Sequence, residues 1–118
     1  MNQREKHTSA SREFLTKAQE ALEQDDLGQA SEKGWGAAAQ MVKAISEQRG
    51  WQHNGHAYLF QAVRQLADET GDNPLVRLFQ IANSLHINFY ENWIPKESVR
   101  ESLEAVQEFV DKAERLLR

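Results

Sequence analysis

The feature that most constrains the fold is the helical spacing of apolar residues, which helix-breaking residues interrupt at only a few points. The chain has two prolines and six glycines among 118 residues, and most stand where a helix would begin or end. No stretch shows the sustained alternation with β-branched residues that half-buried strands require. The sequence therefore predicts an all-α, up-and-down bundle of four to five helices in a single domain, residues 1–118, with the first helix a candidate for a peripheral place.

Capping residues set the expected helix boundaries. Asp25 and Asp26 can end one helix and cap the next, because their carboxylates accept hydrogen bonds from free N–H groups at a helix start. Gly50 can end the second helix in a left-handed conformation. Pro74 and Pro95 suit the first turn of a helix, where the missing N–H is no loss. The predicted helices are residues 8 or 9 to 24, 27–48, 74–92 and 95–118, together with a third helix that follows the loop of residues 50–56, has Asn54 as its expected cap and ends before Gly71.

Each predicted helix carries an apolar stripe, which indicates one shared core. In the second stripe, Gly34 and Gly36 each cost roughly 1 kcal/mol of helix propensity relative to alanine. Two interpretations explain why glycines stand there. Either a neighbouring helix packs closely against them, or their exposed backbone lines a ligand site. The predicted core includes Leu15, Ala18, Leu22, Ala30, Ala37, Ala38, Met41, Val42, Ile45, Tyr58, Leu59, Ala62, Val63, Leu66, Leu75, Leu78, Phe79, Ala82, Leu85, Phe89, Trp93, Val99, Leu103, Val106, Val110 and Ala113. The predicted solvated face of the last helix carries Glu101, Glu104, Glu108, Asp111, Lys112 and Glu114.

Composition narrows the classes of function. Lys and Arg number 14 against 18 Asp and Glu, a formal charge of −4 that excludes a polybasic binder relying on phosphate neutralisation. The absence of cysteine excludes disulfides, a cysteine nucleophile and zinc–thiolate sites. The first residues lack the apolar stretch of a signal peptide, and no run approaches the roughly 20 apolar residues of a membrane span. We expect a cytoplasmic protein without membrane contact or a cofactor.

His86 is the most informative polar residue, because it falls in the middle of the apolar stripe of the fourth helix. Desolvation there would lower its pKa and favour the neutral imidazole unless an acid pairs with it. Asn83 and Tyr90 lie one turn away and could share hydrogen bonds or a small pocket with it. Two interpretations follow: a core histidine with satisfied ring nitrogens, or a member of a binding site.

His53 and His56 form a His-x-x-His pair in the loop before the third helix. The spacing can place two imidazoles on one metal ion, but zinc sites need three or four ligands, and no carboxylate stands at a telling distance in sequence. Capping and loop packing are the favoured interpretation, and no metal site is predicted. No serine stands in a nucleophile-elbow context and no glycine-rich phosphate loop is present, so no catalytic residue is assigned.

Two surface features indicate self-association. Glu32, Gly36, Ala39 and Lys43 align on the back of the second helix, where small residues would let a second chain approach. Phe60 projects away from the main stripe of the third helix, so that helix is either sandwiched within the bundle or buried by a partner. The sequence predicts a homodimer with an isologous contact, the commonest closed symmetry.

Three segments carry a family resemblance: residues 31–38 (SEKGWGAA), Arg49-Gly50-Trp51 with His53 and His56, and residues 85–91 (LHINFYE). With them, residues 8–117 resemble the PaREP-type branch of the HEPN superfamily of helical-bundle proteins. The resemblance implies a four-to-five-helix bundle, often a homodimer, found near mobile elements, defence systems or nucleotidyltransferase partners. It also implies a link to metal-independent ribonucleases, which use an Arg and a His with four to six residues between them at a dimer cleft. The positions it marks are Glu32, Lys33, Trp35, His86, Asn88, Tyr90 and Glu91.

The ribonuclease motif is not matched in this sequence. Eight residues separate Arg77 from His86, and the two differ by about half a turn on the helical wheel. Six residues separate Arg49 from His56, but this pair flanks the predicted loop. We therefore expect a HEPN-like, non-catalytic module that homodimerises and binds a nucleotide, a nucleic acid or a protein. The alternative is a divergent metal-independent ribonuclease or a toxin/antitoxin-type component of a defence system. The candidate ligand-binding residues are Glu32, Lys33, Trp35, His53, His56, Asn83, His86, Tyr90 and Glu91.

Overall fold

The computed structural model describes residues 1–117 and shows five α-helices joined by short connections. The all-α bundle predicted from the sequence is confirmed, and no strand occurs among these residues. Within the same range, no helix has both the length and the apolar character that crossing a membrane demands. The helices are α1 (Gln3–Glu23), α2 (Leu27–Arg49), α3 (His56–Thr70), α4 (Pro74–Glu91) and α5 (Lys96–Arg115).

Most helix boundaries lie where the capping residues predict them. Asp26 caps α2 by accepting a hydrogen bond from the Gln29 N–H at 3.2 Å. Gly50 ends α2 with a left-handed φ of 73°, and Gly71 ends α3 in the same way with a φ of 75°. Pro74 occupies the first turn of α4, as its fixed φ favours.

Three boundaries differ from the prediction. α1 begins at Gln3 instead of Thr8 or Ser9, because Asn2 caps it by accepting a 2.8 Å hydrogen bond from the Glu5 N–H. Gly55, and not Asn54, is the N-cap of α3, with a φ of 111° that favours glycine over asparagine. α5 is helical to Arg115, and its predicted end at residue 118 lies outside the described residues.

α2 occupies the centre of the bundle and contacts each of the other four helices. A Cβ added at Gly34 would lie 2.5 Å from Leu103 Cδ2 of α5 and 3.0 Å from Leu85 Cδ1 of α4. Gly34 therefore serves the close packing of three helices, which settles its role against a backbone-lined ligand site. The largest fully buried side chains around it include Phe79, Phe109, Met41, Ile45 and Leu75.

The predicted core is largely confirmed, with four corrections, one of which is that Phe89 of α4 is only half-buried. Phe109 lies outside the predicted stripe of α5 but is fully buried, and its ring centroid is 5.4 Å from that of Phe79. Tyr58 in the first turn of α3 is 39% exposed. Trp93 is 68% exposed, because it follows the left-handed Asn92 (φ 54°) that ends α4 and no longer continues the helical stripe.

α1 is an integral helix of the bundle and not a peripheral one. Ser11 Oγ donates a 2.7 Å hydrogen bond to the Ala37 carbonyl of α2. A Cβ added at Gly36 would meet the ring of Phe14 at 3.0 Å, and Ala39 is only 7% exposed. α1 thus covers the face of α2 that the sequence suggested for a second chain. The buried residues of α1 are Ser11, Leu15, Ala18 and Leu22.

Polar bonds fasten α5 to its neighbours and correct part of its predicted solvated face. Arg12 of α1 donates to Glu114 Oε1 from Nε at 2.8 Å and to Asp111 Oδ1 at 3.1 Å. Lys112 donates to the carboxylate of Asp72, just before α4, at 3.2 Å. These three α5 residues are half-buried because they bridge to other elements. The prediction of a solvated face is confirmed for three residues, which are exposed: Glu101, Glu104 and Glu108.

Candidate functional site

Four rings from three helices form a continuous group, the aromatic cluster: Trp35 of α2, His56 of α3, and His86 and Tyr90 of α4. The Trp35 and His56 rings are stacked, with centroids 4.7 Å apart and 20° between their planes. His86 lies 4.9 Å from His56 and 5.3 Å from Trp35, and Tyr90 meets His86 edge-on at 5.5 Å. Trp35 is 8% exposed and Tyr90 71%, while His56 is exposed and His86 half-buried, so the cluster joins the core to the surface.

The order of the helices explains why these rings meet. α3 and α4 are joined by a short turn, and neighbours joined in this way run antiparallel. The first residue of α3, His56, therefore comes beside the second half of α4. His86 and Tyr90 are four residues apart and share one face of α4.

His86 is half-buried and lies at the edge of the buried face of α4, and not within the core. Its Nδ1 atom is buried and has no hydrogen-bond partner among residues 1–117. Burial lowers the pKa of His86, the charge of His56 lowers it further, and the Glu32 carboxylate opposes the shift. His86 therefore does not match the expected core histidine with both ring nitrogens hydrogen-bonded.

Two polar residues accompany the aromatic cluster. His56 Nε2 donates a 3.2 Å hydrogen bond to Asn83 Oδ1 of α4, which orients the imidazole that stacks on Trp35. Glu32 is half-buried one turn before Trp35 in α2, close enough for its charge to act on His86. The structure thus brings together six of the residues selected from the sequence: Glu32, Trp35, His56, Asn83, His86 and Tyr90.

Three other candidates lie elsewhere. Lys33 faces α1, where its Nζ stands 5.1 Å from the centroid of the Phe14 ring. Glu91 is exposed as the last residue of α4. His53 is hydrogen-bonded to Glu47 at 2.9 Å, so the His-x-x-His pair is divided between two different surroundings and does not act as one unit.

Asn88, a position of the family pattern, holds the fold together next to the cluster. It is fully buried, and its Nδ2 donates to Ser31 Oγ of α2 at 2.9 Å. Its Oδ1 accepts hydrogen bonds from the N–H groups of Trp93 and Ile94, each at 2.9 Å. Asn88 therefore ties the end of α4 both to α2 and to the connection with α5. Ser31 is the first residue of the family segment 31–38, but its contact with Asn88 was not predicted from the sequence.

Three exposed apolar residues at the C-terminal end of α4 were not recognised as a surface from the sequence. They are Ile87, Tyr90 and Trp93, exposed by 45%, 71% and 68%, and we refer to them as the apolar patch. Exposed groups of large apolar side chains mark interaction surfaces. The sequence feature that could have indicated this surface is Ile87, an aliphatic residue that lies outside the buried stripe of α4.

Arg49 and Arg77, the two arginines compared above with a ribonuclease motif, do not belong to the aromatic cluster. Arg49 forms an ion pair with Glu69 at 2.6 Å and stands 5.4 Å from the centroid of the Trp51 ring. Arg77 is exposed, on the side of α4 opposite His86. The chemistry that the cluster supports is stacking on a planar ring combined with hydrogen bonding by neutral imidazole and amide groups.

Comparisons with known proteins agree with this architecture. A model of the archaeal PaREP1/PaREP8 family matches residues 6–110 of the chain. The crystal structure of a protein from Sulfolobus solfataricus is similar, with a TM-score of 0.81 and 23% sequence identity over 90% of this chain and 94% of that chain. At this identity, the likeness shows the shared fold. No match was found among curated proteins.

Proposed function

Because the chain belongs to the archaeal PaREP1/PaREP8 family, we propose that it is a HEPN-like, non-catalytic helical module. It binds the base of a nucleotide or of single-stranded RNA at the aromatic cluster and pairs with a second copy of itself. The observation that supports a nucleobase as the ligand is the unbroken run of rings from buried Trp35 to exposed Tyr90.

A nucleobase suits this run because every base has a π face, and its stacking on an aromatic side chain contributes about 1–3 kcal/mol. Tyr90 offers an exposed ring, and the edge-on contact with His86 restrains that ring. His86 and Asn83 supply hydrogen-bonding groups for the edge of a stacked base. The buried, unpaired Nδ1 of His86 would gain a partner when such a ligand binds.

The charges near the cluster favour the base over the phosphate as the recognised group. The Glu32 carboxylate acts on His86, and Lys33 is directed to Phe14 instead of the cluster. Phosphate contacts by cations are what make binding strongly dependent on salt concentration. We therefore expect the affinity for a nucleotide to change little between low and physiological salt.

Titration of the full chain with AMP and with a short single-stranded RNA, followed by two-dimensional NMR, tests the ligand. The signals of His86 and Tyr90 shift to saturation, and Tyr90→Ala weakens binding by about 1–3 kcal/mol. Tyr58→Ala is the matched control, since Tyr58 is an exposed tyrosine on α3 outside the cluster. Unchanged spectra at millimolar nucleotide, or equal losses in both variants, would contradict base binding.

Pairing with a second copy rests on a different surface from the one that the sequence suggested. α1 covers the small-residue face of α2, and Phe60 packs edge-on against Phe79 of its own chain at 4.9 Å. The apolar patch supplies an exposed aromatic surface instead, and aromatic residues are enriched at protein interfaces. An isologous contact centred on Ile87 and Trp93 would place two aromatic clusters side by side and leave the Tyr90 ring at the edge of the contact, open to the base.

A divergent ribonuclease is the second candidate function, and one observation favours it. His56 and His86 are 4.9 Å apart, and the pKa of His86 is lowered by burial, so two imidazoles with unlike surroundings could act as base and acid. Arg49 and Arg77 do not complete such a site. Cleavage of single-stranded RNA by the wild type, lost in both His56→Gln and His86→Gln, would replace the non-catalytic proposal with this one.

A further inference from the structure

We propose that His7, Glu47 and His53 form a binding site for a divalent transition-metal ion such as Zn²⁺. The side chains come from α1, from α2 and from the loop between α2 and α3, and one ligand atom of each lies within 4.8 Å of the other two. The His7 and His53 ring centroids are 5.6 Å apart. Two imidazoles and one carboxylate are a ligand set that zinc and other first-row metals bind.

The orientation of His7 supports this role. Its Nδ1 donates a 2.6 Å hydrogen bond to Gln40 Oε1 of α2, which leaves Nε2 with the free lone pair that a metal requires. Histidines that bind metals usually donate the other ring N–H to a carbonyl or carboxylate oxygen, which fixes the tautomer and the ring direction. Gln40 gives His7 that restraint.

The distances allow an ion to be bound with small side-chain adjustments. His53 Nε2 and Glu47 Oε1 are already 2.9 Å apart. Bonds of about 2.0–2.1 Å place the ligand atoms of a tetrahedral ion roughly 3.3 Å apart, so torsional movements on the order of 1–2 Å complete the set. His53 and Glu47 are 20% and 36% exposed, which gives an ion access from solvent. Three protein ligands leave a fourth position open to water.

This site differs from the His53–His56 pair that was considered from the sequence. His56 stacks on Trp35 and binds Asn83, so it is not a partner of His53. The missing ligands come from the start of α1 and the end of α2, which only the antiparallel packing of these helices brings together. A bound ion would join α1, α2 and the loop that leads into His56.

Equilibrium dialysis and calorimetry with Zn²⁺, and visible spectra with Co²⁺ as a probe of coordination, test the proposal on the full chain. We expect one ion per chain. Affinity falls at least about tenfold in His7→Gln, Glu47→Gln and His53→Gln, and about tenfold in Gln40→Ala through loss of the restraint on His7. His56→Gln is the matched control and keeps the wild-type affinity.

Circular dichroism of each variant separates loss of the site from loss of the fold, and Glu47→Gln changes an exposed side chain that the fold does not require. A rise of Tm with Zn²⁺ concentration in the wild type and in His56→Gln, but not in Glu47→Gln, would support the site. Equal zinc affinity in the wild type and in a His7→Gln/His53→Gln double variant would overturn it. Loss of binding in His56→Gln would also overturn it, in favour of the His53–His56 pair.

Discussion

His56 lies against His86 with their ring centroids 4.9 Å apart and their planes inclined by 38°. Each imidazole comes from a different helix. The pKa of His86 is lowered first by burial and then by the charge of His56. At neutral pH the cluster therefore presents an uncharged His86 ring, which is the form that can stack and accept a hydrogen bond.

The stability of the protein should fall on mild acidification because of His86. Its pKa is lower in the folded state than the ordinary 6.5, so the unfolded state binds more protons and the free energy of unfolding falls as pH drops through this range. The free energy of unfolding therefore has its full value above about pH 6.5, the pKa of histidine in the unfolded chain. It decreases as the pH falls from there through the lower pKa of His86 in the folded protein. Urea denaturation at pH 7.5 and at pH 5.5 measures this decrease in the free energy of unfolding.

His86→Gln removes this titrating group and should reduce the pH dependence of unfolding. An NMR titration gives the same answer independently, since the folded pKa of His86 should lie below that of a model peptide. The same pH dependence in the wild type and in the variant, or a folded pKa at or above the ordinary value, would show that Glu32 outweighs burial.

Asn88→Ala should destabilise the fold by about 1–3 kcal/mol. The change leaves Ser31 Oγ without its 2.9 Å partner inside the core, and it frees the N–H groups of Trp93 and Ile94. Buried polar groups that lose a partner incur a cost of this size. Chemical denaturation measures the loss. Asn73→Ala, at an exposed position without a side-chain cap bond, should stay within about 0.5 kcal/mol of the wild type.

Gly34→Ala should also destabilise the bundle, although alanine is the better helix former. The added Cβ would lie 2.5 Å from Leu103, which is 1% exposed and cannot move away freely. Overpacking costs about 1–3 kcal/mol and exceeds the roughly 1 kcal/mol gained in helix propensity. Gly28→Ala is the matched control, because its nearest neighbour stands 3.9 Å away, and it should be neutral or slightly stabilising. A more stable Gly34→Ala would contradict close packing.

Trp93→Ser should weaken self-association by about 2 kcal/mol if the apolar patch is the dimer interface, since exposed tryptophans at interfaces often carry this much. Sedimentation equilibrium gives the dissociation constant. Tyr58→Ser replaces a second exposed aromatic residue, away from the patch, and should leave the constant unchanged. A wild-type protein that stays monomeric at high micromolar concentration would rule out the dimer.

The sequence predicts the fold well because its boundaries rest on local chemistry. Asp26, Gly50 and Pro74 act through their own backbone and side-chain atoms, and the structure confirms all three. The start of α1 was missed because the residues after Asn2 carry no apolar stripe. Phe109 was missed because it lies outside the four-and-three spacing and is buried by Phe79 of another helix.

The site was less predictable, because it depends on contacts between helices. Helical spacing brings His86, Asn83 and Tyr90 to one region of α4, but nothing in the spacing places His56 or Trp35 against them. His53 and His56 are close in sequence but separate in space, because the first lies before the glycine cap of α3 and the second within the helix.

The cover that α1 gives to α2 has a consequence for assembly. α1 is tethered to α2 by a turn of three residues, 24–26, and a segment held by a short tether competes for its site at an effective concentration in the millimolar range. A second chain at micromolar concentration is outcompeted for the face that bears Gly36 and Ala39. Each molecule saturates that surface with its own first helix, so this face of α2 is closed to a second chain, and the proposed contact between chains is left to the apolar patch of α4.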